Sequence, residues 1–243
     1  MTVKLMKRAI VVLAVASLVA CVAHQPNPAF KPVDLSPKAK SGEIVRKADN
    51  FMIIMDSSQS MAGSEVFKGE SRFDRAWDIV ARINETLPNV GFMAALRSAG
   101  TTICPFGRNK SRLFFGPARW DREDFKEAME NAIFSKGRTP LADAIAKSAS
   151  DLSYAKGAVA VIIISDGMNN IGDPVAAAKK MKAAFGDRLC ISAIQIGSEP
   201  AGKRLLSSIV EIGGCGTLES EENLVAADGV ADFVQKVFFS PAG

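Results

Sequence analysis

The chain has 243 residues, 48% of them apolar, and its 30 basic and 26 acidic side chains give a formal net charge of +4. Lys4, Lys7 and Arg8 are the only charged residues among the first 20, so the rest of the chain is nearly neutral, which argues against a nucleic-acid-binding or polybasic membrane surface. The single histidine, His24, excludes histidine-rich zinc sites and disfavours a Ser-His-Asp triad.

The N-terminal 20 residues have the pattern of a signal peptide. A basic start precedes a short apolar stretch over residues 9–20, which ends in Leu18-Val19-Ala20-Cys21. This ending resembles the bacterial lipobox, whose cysteine is lipidated and becomes the new N-terminus. An ordinary cleaved signal peptide that ends near a cysteine is the alternative. We expect lipid on Cys21, and Val22 in place of Asp favours the outer membrane over the inner one. Residues 21–43, which are rich in proline, are predicted to form a tether.

A folded domain is predicted over residues 44–240. The apolar run 51–55 ends at Asp56 and predicts a strand that is buried on both faces of a parallel sheet. The sequence Ser71-Arg72-Phe73-Asp74 is typical of a helix start. The remaining elements alternate between strand and helix. They comprise a helix over 73–87, strands over 90–96 and 113–115, and a helix over 124–133. The next helix is predicted to begin with Pro140 in its first turn and Thr139 as its cap. It is followed by a strand over 158–164, a helix over 175–185, a strand over 189–196, a helix over 201–212, an edge strand from Thr217 and a closing helix over 230–239. This alternation predicts an α/β fold with a doubly wound, mostly parallel central sheet flanked by helices.

Oxygen-bearing side chains follow two of the predicted strands and precede one helix. They are Asp56, Ser58 and Ser60, then Thr139, then Asp166. Ligands of such sheets bind beyond the carboxyl ends of the strands. Carboxylates and hydroxyls suit a hard divalent ion, Mg²⁺ first, with Mn²⁺ or Ca²⁺ as alternatives. Taken alone, Asp-x-Ser-x-Ser is also compatible with an ordinary polar turn.

The full set resembles the metal-ion-dependent adhesion site (MIDAS) of von Willebrand factor type A (vWA) domains. That family has Asp-x-Ser-x-Ser, a distant Thr and a more distant Asp after an apolar strand, and all five positions are present here. The resemblance implies that Ser58, Ser60 and Thr139 bind the ion directly, while Asp56 and Asp166 lie partly in the surrounding shell. It also implies that a Glu or Asp of a partner protein occupies an open coordination position.

These patterns leave three functional hypotheses. The first is a metal-dependent protein-binding module held at the cell envelope by lipid, with an envelope protein as its partner. The second is a metal-dependent hydrolase, and the third is a scaffold whose metal site is vestigial. Ser153 and Lys156 match a Ser-x-x-Lys nucleophile motif, but the motifs that accompany it in penicillin-binding families are missing. We therefore expect a binding module and not an enzyme.

The chain also resembles the vWA part of Gram-negative envelope lipoproteins that continue into an OmpA-like peptidoglycan-binding domain. Because the sequence ends at Gly243, shortly after the predicted closing helix, we expect no cell-wall binding through such a domain.

Three cysteines besides Cys21 lie in the predicted domain. In the vWA fold the strands near Cys190 and Cys215 are adjacent and parallel, so the resemblance implies that these two residues are close enough for a disulfide. Two buried free thiols are the alternative. Cys104, beside Pro105 in a predicted turn, is expected to stay free.

Overall fold

The computed structural model describes residues 30–62, 70–100, 111–131, 137–169 and 171–242. The described strands are β1 (Ile44–Arg46), β2 (Asn50–Asp56), β3 (Met93–Ala99), β4 (Ser111–Arg119), β5 (Val159–Ser165), β6 (Leu189–Gln195), β7 (Leu218–Ser220) and β8 (Phe239–Pro241). The described α-helices are α1 (Ser36–Ser41), α2 (Arg72–Thr86), α3 (Arg122–Glu130), α4 (Leu141–Asp151), α5 (Pro174–Phe185), α6 (Pro200–Gly213) and α7 (Ala227–Phe238).

Six of these strands form the central sheet, in the order β4-β3-β2-β5-β6-β7. All neighbouring pairs are parallel except β3 and β4, which are antiparallel. The predicted α/β class and the mostly parallel sheet are therefore confirmed. The chain passes from β2 through α2 to β3 on one side of the sheet, and from β5 through α5 to β6 on the other side. The helices that follow β2 and β5 therefore lie on opposite faces, and a crevice forms at the carboxyl ends of these two strands.

The central strands are buried on both sides of the sheet. Every residue of β2 and of β5 is buried. Alternate residues of β2 contribute to two different cores, Phe51, Ile53 and Met55 to one and Met52 and Ile54 to the other. A strand with two buried faces must be apolar throughout, which is why its sequence reads as a continuous run.

Helix α2 forms as its sequence predicts. The Asp74 amide donates to the Ser71 hydroxyl at 3.1 Å, and the Ser71 amide donates to the Asp74 carboxylate at 2.8 Å, which closes a capping box. Trp77 is 1% exposed, and its indole N–H donates to the Met129 carbonyl at 3.2 Å. Helix α2 thereby places Arg72, its first residue, at the carboxyl edge of the sheet.

Residues 30–43, the described part of the predicted tether, contain regular structure. Helix α1 forms there, and the Leu35 side chain is 1% exposed and belongs to the core. Strand β1 then pairs antiparallel with β8 in a separate two-stranded ribbon. Each of these strands has only three residues, too few to show an alternating hydrophobic pattern. The ribbon therefore depends on a contact between the two ends of the domain.

Two other predicted elements differ in extent. The strand predicted over 113–115 is the nine-residue β4, whose antiparallel pairing with β3 is irregular near Leu96. Its residues are mostly half-exposed, so it lacks the apolar run that marks the central strands. Helix α4 begins at Leu141, and the Pro140 backbone (φ −94°, ψ 54°) occupies the cap position that the sequence suggested for Thr139.

A disulfide joins Cys190 in β6 to Cys215, which precedes β7, with Cα atoms 5.0 Å apart. Strands β6 and β7 are parallel neighbours, so both cysteines lie toward the amino edge of the sheet. Cys104 lies outside the described residues. Within the described ranges, no helix combines the length and the apolar character needed to cross a bilayer.

Candidate metal centre

The candidate centre is built on the carboxyl ends of β2 and β5. Asp56 is the last residue of β2, and Asp166 directly follows β5, its parallel neighbour. The Ser165 hydroxyl donates to Asp56 Oδ2 at 2.6 Å, so the two strand ends are joined side chain to side chain. Asp56, Ser165 and Asp166 are all fully buried.

The loop after β2 turns back on its own carboxylate. The Ser58 amide donates to Asp56 Oδ1 at 2.9 Å, an Asx-type turn that leads into a short 3₁₀ helix over Gln59–Ala62. The turn brings the Ser58 and Ser60 hydroxyl oxygens to 3.1 Å from each other. The Asp-x-Ser-x-Ser spacing thus places two hydroxyls together beside a buried carboxylate.

The loop that carries Thr139 is held against both of the other loops. The Gln59 amide donates to the Gly137 carbonyl at 2.8 Å, which ties this loop to the loop after β2. The Leu141 amide donates to Asn169 Oδ1 at 3.3 Å, which ties the start of α4 to the loop after β5. Thr139 lies between these two ties and is 1% exposed. All five predicted residues therefore lie in three connected loops at one edge of the sheet.

Asp166 is held by both of its oxygens. Oδ1 accepts from the Met168 amide at 2.9 Å, and Oδ2 accepts from Arg72 Nη1 at 3.2 Å. Its backbone packs against α6, since a Cβ atom added to Gly202 would lie 1.9 Å from the Asp166 carbonyl oxygen. The loop that carries Asp166 can approach the helix this closely only because Gly202 has no side chain.

The pKa of Asp56 is raised to about 6. Burial is the main cause and the nearby negative charge of Asp166 adds to it, while hydrogen bonds from Ser165 and Ser58 oppose the rise. In the described part of the chain no salt bridge joins Asp56 to a basic side chain. A buried carboxylate without a compensating charge is costly, and a bound cation would remove that cost.

The donor set fits a hard divalent cation. It combines two buried carboxylates with the hydroxyls of Ser58, Ser60 and Thr139, and such oxygen ligands suit Mg²⁺. Within the described ranges no group of three or more histidine, cysteine, aspartate and glutamate side chains is placed to hold a metal. Hydroxyls would therefore supply most of the direct contacts to an ion here.

Sequence analysis missed three residues that shape this centre. Ser165 binds Asp56, Asn169 binds the start of α4, and Arg72 binds Asp166. Ser165 stands directly before a predicted ligand at the end of an apolar strand, which is a usable signal. Arg72 lies 94 positions before Asp166, and no local pattern indicates that contact.

The Ser-x-x-Lys pair lies at the other end of the molecule. Ser153 and Lys156 follow the C-terminus of α4, and the Lys156 carbonyl accepts from the side chain of Asn50, the first residue of β2. The pair is therefore at the amino edge of the sheet, away from the candidate metal centre.

Comparison with protein families settles what kind of domain this is. Residues 51–169, which include all five predicted ligands, match the family model of the von Willebrand factor type A domain. The chain contains a vWA domain. No curated protein sequence matches the chain.

Solved structures agree with the vWA assignment at the level of the fold. An aerotolerance-related membrane protein from Bacteroides fragilis superposes with a TM-score of 0.56 at 18% identity, over 77% of this chain and 99% of that one. Manganese-loaded TRAP protein from Plasmodium vivax gives 0.55 at 12% identity, over 82% and 78%. Proximal thread matrix protein 1 from mussel byssus, with a zinc-occupied MIDAS motif, gives 0.58 at 16% identity, over 82% and 49%.

Proposed function

We propose that this vWA domain is a metal-dependent protein-binding module, held at the bacterial cell envelope by lipid on Cys21. The observation that carries the proposal is the convergence of Asp56, Ser58, Ser60, Thr139 and Asp166 in three connected loops at one sheet edge. The metal-loaded TRAP protein and the zinc-occupied MIDAS of the mussel protein support a divalent ion at the equivalent place.

The five residues would have two different roles at this site. Ser58, Ser60 and Thr139 would bind the ion directly through neutral hydroxyl oxygens, and Asp56 and Asp166 would supply negative charge partly from the surrounding shell. A divalent ion held mainly by neutral ligands remains electrophilic and attracts a carboxylate of a partner. The proposed role of the protein is to hold the ion with one coordination position open to an Asp or Glu of an envelope protein.

Binding is favoured over hydrolysis by the choice of side chains. Among the described residues there is no histidine to act as a general base beside the site. The Ser153 and Lys156 pair lies at the opposite edge of the sheet. A vestigial site is disfavoured because all five oxygen-bearing positions of the motif are intact.

The first prediction is ion-dependent stabilisation of the folded chain. At a hundredfold excess over Kd, an ion that binds only the folded state adds about 2.7 kcal/mol to the free energy of unfolding. We expect millimolar Mg²⁺ or Mn²⁺ to raise the melting temperature of the wild type and to leave Asp56→Asn unchanged. Asp187→Ala, which removes an exposed carboxylate at the far edge, is the matched control and should respond like the wild type. An unchanged wild-type melting temperature with Mg²⁺, Mn²⁺ and Ca²⁺ would rule out the metal centre.

Lipid anchorage is tested separately, because Cys21 lies outside the described residues. The charged start, the short apolar stretch and the ending Leu18-Val19-Ala20-Cys21 support it, and the Bacteroides fragilis protein is itself described as a membrane protein. Cys21→Ser should prevent acylation of the chain, and either Cys21→Ser or treatment of cells with globomycin should block cleavage before residue 21. Normal cleavage in both experiments would contradict lipidation.

A partner should bind through the ion. Affinity capture from envelope extract, performed in Mg²⁺ and repeated in EDTA, should retain an envelope protein only in Mg²⁺. Asp56→Asn should lose that protein and Asp187→Ala should keep it. Replacement of single Asp or Glu residues in the captured protein should then identify the carboxylate that reaches the ion, whereas capture that persists in EDTA would contradict the proposal.

A further inference from the structure

Arg72 contacts Asp166, one of the predicted metal ligands, and also binds a second carboxylate, that of Glu199. Arg72 Nη1 donates to Asp166 Oδ2 at 3.2 Å, and Arg72 Nη2 donates to Glu199 Oε1. The Arg72 side chain is 10% exposed, Asp166 is 0% exposed and Glu199 is 31% exposed. The guanidinium is thus largely removed from water, between a predicted ligand and a more accessible acid.

The surroundings of Arg72 are shaped for this shared contact. Gly197, with φ of +76°, lies against both partners, and a Cβ atom there would come within 3.2 Å of Arg72 Cζ and 2.8 Å of Glu199 Oε2. Gln195 Nε2 donates to the Glu199 carbonyl at 2.9 Å, which fixes the backbone of that residue. Glu199 Oε2 is buried, and within the described residues no donor reaches it. Glu199 therefore has an unused acceptor beside the guanidinium it already binds.

A metal ion bound at the proposed centre would compete with Arg72 for Asp166. A guanidinium that donates to Oδ2 satisfies part of the carboxylate and repels a nearby cation. Glu199 counters both effects, because its negative charge offsets that of Arg72 and its second oxygen offers the guanidinium another acceptor. The strength of the Asp166–Arg72 contact should therefore depend on Glu199.

We propose that Arg72 is a positioning residue that holds Asp166 in the outer shell of the metal centre, and that Glu199 sets how firmly Arg72 does so. An Asp166 kept off the ion leaves a coordination position open to the carboxylate of a partner. This inference rests on the proposed metal-dependent function and deepens it, since it assigns the selection of an acidic partner to an Arg72–Glu199 pair outside the MIDAS motif.

The pair makes predictions of opposite sign for metal affinity. Arg72→Gln removes the competing charge, so Asp166 is released and the Kd for Mn²⁺ alone should fall by about tenfold. Glu199→Gln leaves Arg72 fully engaged with Asp166, so the Kd should rise by about tenfold. A merely structural role for Arg72 predicts the reverse for Arg72→Gln, because loss of support for Asp166 would weaken ion binding.

A double-mutant cycle separates action through Arg72 from simple charge removal. If Glu199 acts through Arg72, Glu199→Gln should change the Mn²⁺ affinity by less than about twofold in the Arg72→Gln background. Equal effects in both backgrounds would show that Glu199 acts only as a distant charge, which overturns the assignment. Arg72→Lys, which keeps the charge but loses the planar fork that spans two carboxylates, should fall between wild type and Arg72→Gln.

The matched control is the neighbouring ion pair on the same helix. Arg75 Nε donates to Glu221 Oε2 at 2.7 Å, one turn from Arg72 and without a contact to Asp166 among the described residues. Arg75→Gln should lower the melting temperature without a shift in Mn²⁺ affinity beyond about twofold. A shift equal to that of Arg72→Gln would show a general charge effect and would contradict the proposal.

The experiment is titration calorimetry of the full metal-stripped chain with Mn²⁺, with unfolding midpoints measured in EDTA to confirm that each variant is folded. Should Arg72→Gln fail to fold, Arg72→Lys and Glu199→Gln still give the predicted order of affinities. If the wild type binds no ion, the proposed function itself fails. If it binds Mn²⁺ and Asp56→Asn abolishes binding, while the Arg72 and Glu199 variants leave the Kd unchanged, only this inference is overturned.

Discussion

Asp56 shows how a single buried carboxylate links the fold to the ion. Asp56 is the last residue of β2 and is fully buried. Its carboxylate accepts hydrogen bonds from the Ser58 amide and the Ser165 hydroxyl. Burial, with a further rise from the charge of Asp166, brings its pKa to about 6, against 3.8 for an ordinary aspartate. The folded state without metal therefore holds this proton more tightly than the unfolded state does.

The sign of the resulting pH dependence follows from this difference. Below about pH 4 Asp56 is protonated in both states, between about pH 4 and 6 only the folded state keeps the proton, and above that both are ionised. Asp56 should therefore reduce the stability of the metal-free protein by roughly 3 kcal/mol as the pH rises across this window.

Urea unfolding of the metal-stripped wild type and Asp56→Asn at pH 4.5 and 7.5 measures this contribution. The free energy of unfolding of the wild type relative to Asp56→Asn should fall toward pH 7.5, and saturating Mg²⁺ at pH 7.5 should restore it. The same pH dependence in both proteins would show that Asp56 does not titrate in this window.

The motif and the resemblance to vWA domains indicated where the five motif residues lie, but not which residues support them. Asp56, Ser58 and Ser60 lie close together in the sequence, Thr139 precedes α4, and Asp166 follows the continuous apolar run of β5. Glu199 contacts Arg72 across 127 positions, and Gly202 contacts Asp166 through backbone alone. Such contacts depend on how distant elements pack, and no spacing in the sequence records them.

At the scale of elements, the prediction succeeded where burial imposes a pattern. Strands β2 and β5 are buried on both faces, so a continuous apolar run identifies each of them in the sequence. Helix α2 has one apolar face and a capping box, so its helical spacing and its cap identify it. The β1–β8 ribbon has three residues in each strand, and β4 is mostly half-exposed. Their formation depends on pairing with a distant strand, which outweighs weak local preference.

Helix α6 supports the metal centre through its close approach to the loop after β5. A Cβ atom on Gly202 would lie 1.9 Å from the Asp166 carbonyl oxygen and 3.3 Å from Gly167 Cα, and backbone cannot move aside as a flexible side chain can. Gly202→Ala should therefore push α6 and the Asp166 loop apart. We expect a loss of about 1–3 kcal/mol in the free energy of unfolding, typical of overpacking, together with weaker Mn²⁺ binding.

Melting curves and Mn²⁺ titration of Gly202→Ala test this contact. Lys203→Ala, an exposed change at the next position of the same helix, is the control and should keep both the melting temperature and the Kd. Wild-type Mn²⁺ affinity in a destabilised Gly202→Ala would mean that the approach of α6 supports the fold but not the ligand.

At the scale of the whole molecule, the candidate metal centre and the disulfide lie at opposite edges of the sheet. The carboxyl edge carries the candidate metal centre, while the amino edge carries the disulfide between Cys190 and Cys215. Cys190 pairs in register with Ala160, the second residue of β5, whereas Asp166 follows the last residue of that strand. At about 3.3 Å per residue the two features are separated by roughly 20 Å along the sheet. A change at one edge should therefore leave the other largely intact.

The disulfide should contribute to stability without contributing to ion binding. It closes a loop with a sequence separation of 25 residues, for which the chain-entropy account gives about 3–4 kcal/mol. For a domain of this size, loss of the disulfide corresponds to a fall of about 10 °C in melting temperature.

Melting curves with and without reductant, and of Cys190→Ala/Cys215→Ala, measure this loss. Mn²⁺ titration of the same samples should give a Kd within about twofold of the wild type. Peptide mapping without reductant should recover the cross-linked peptide. Full alkylation of both cysteines under those conditions, with a melting temperature that reductant does not change, would contradict the bridge, and a lost metal site in the reduced protein would contradict the independence of the two edges.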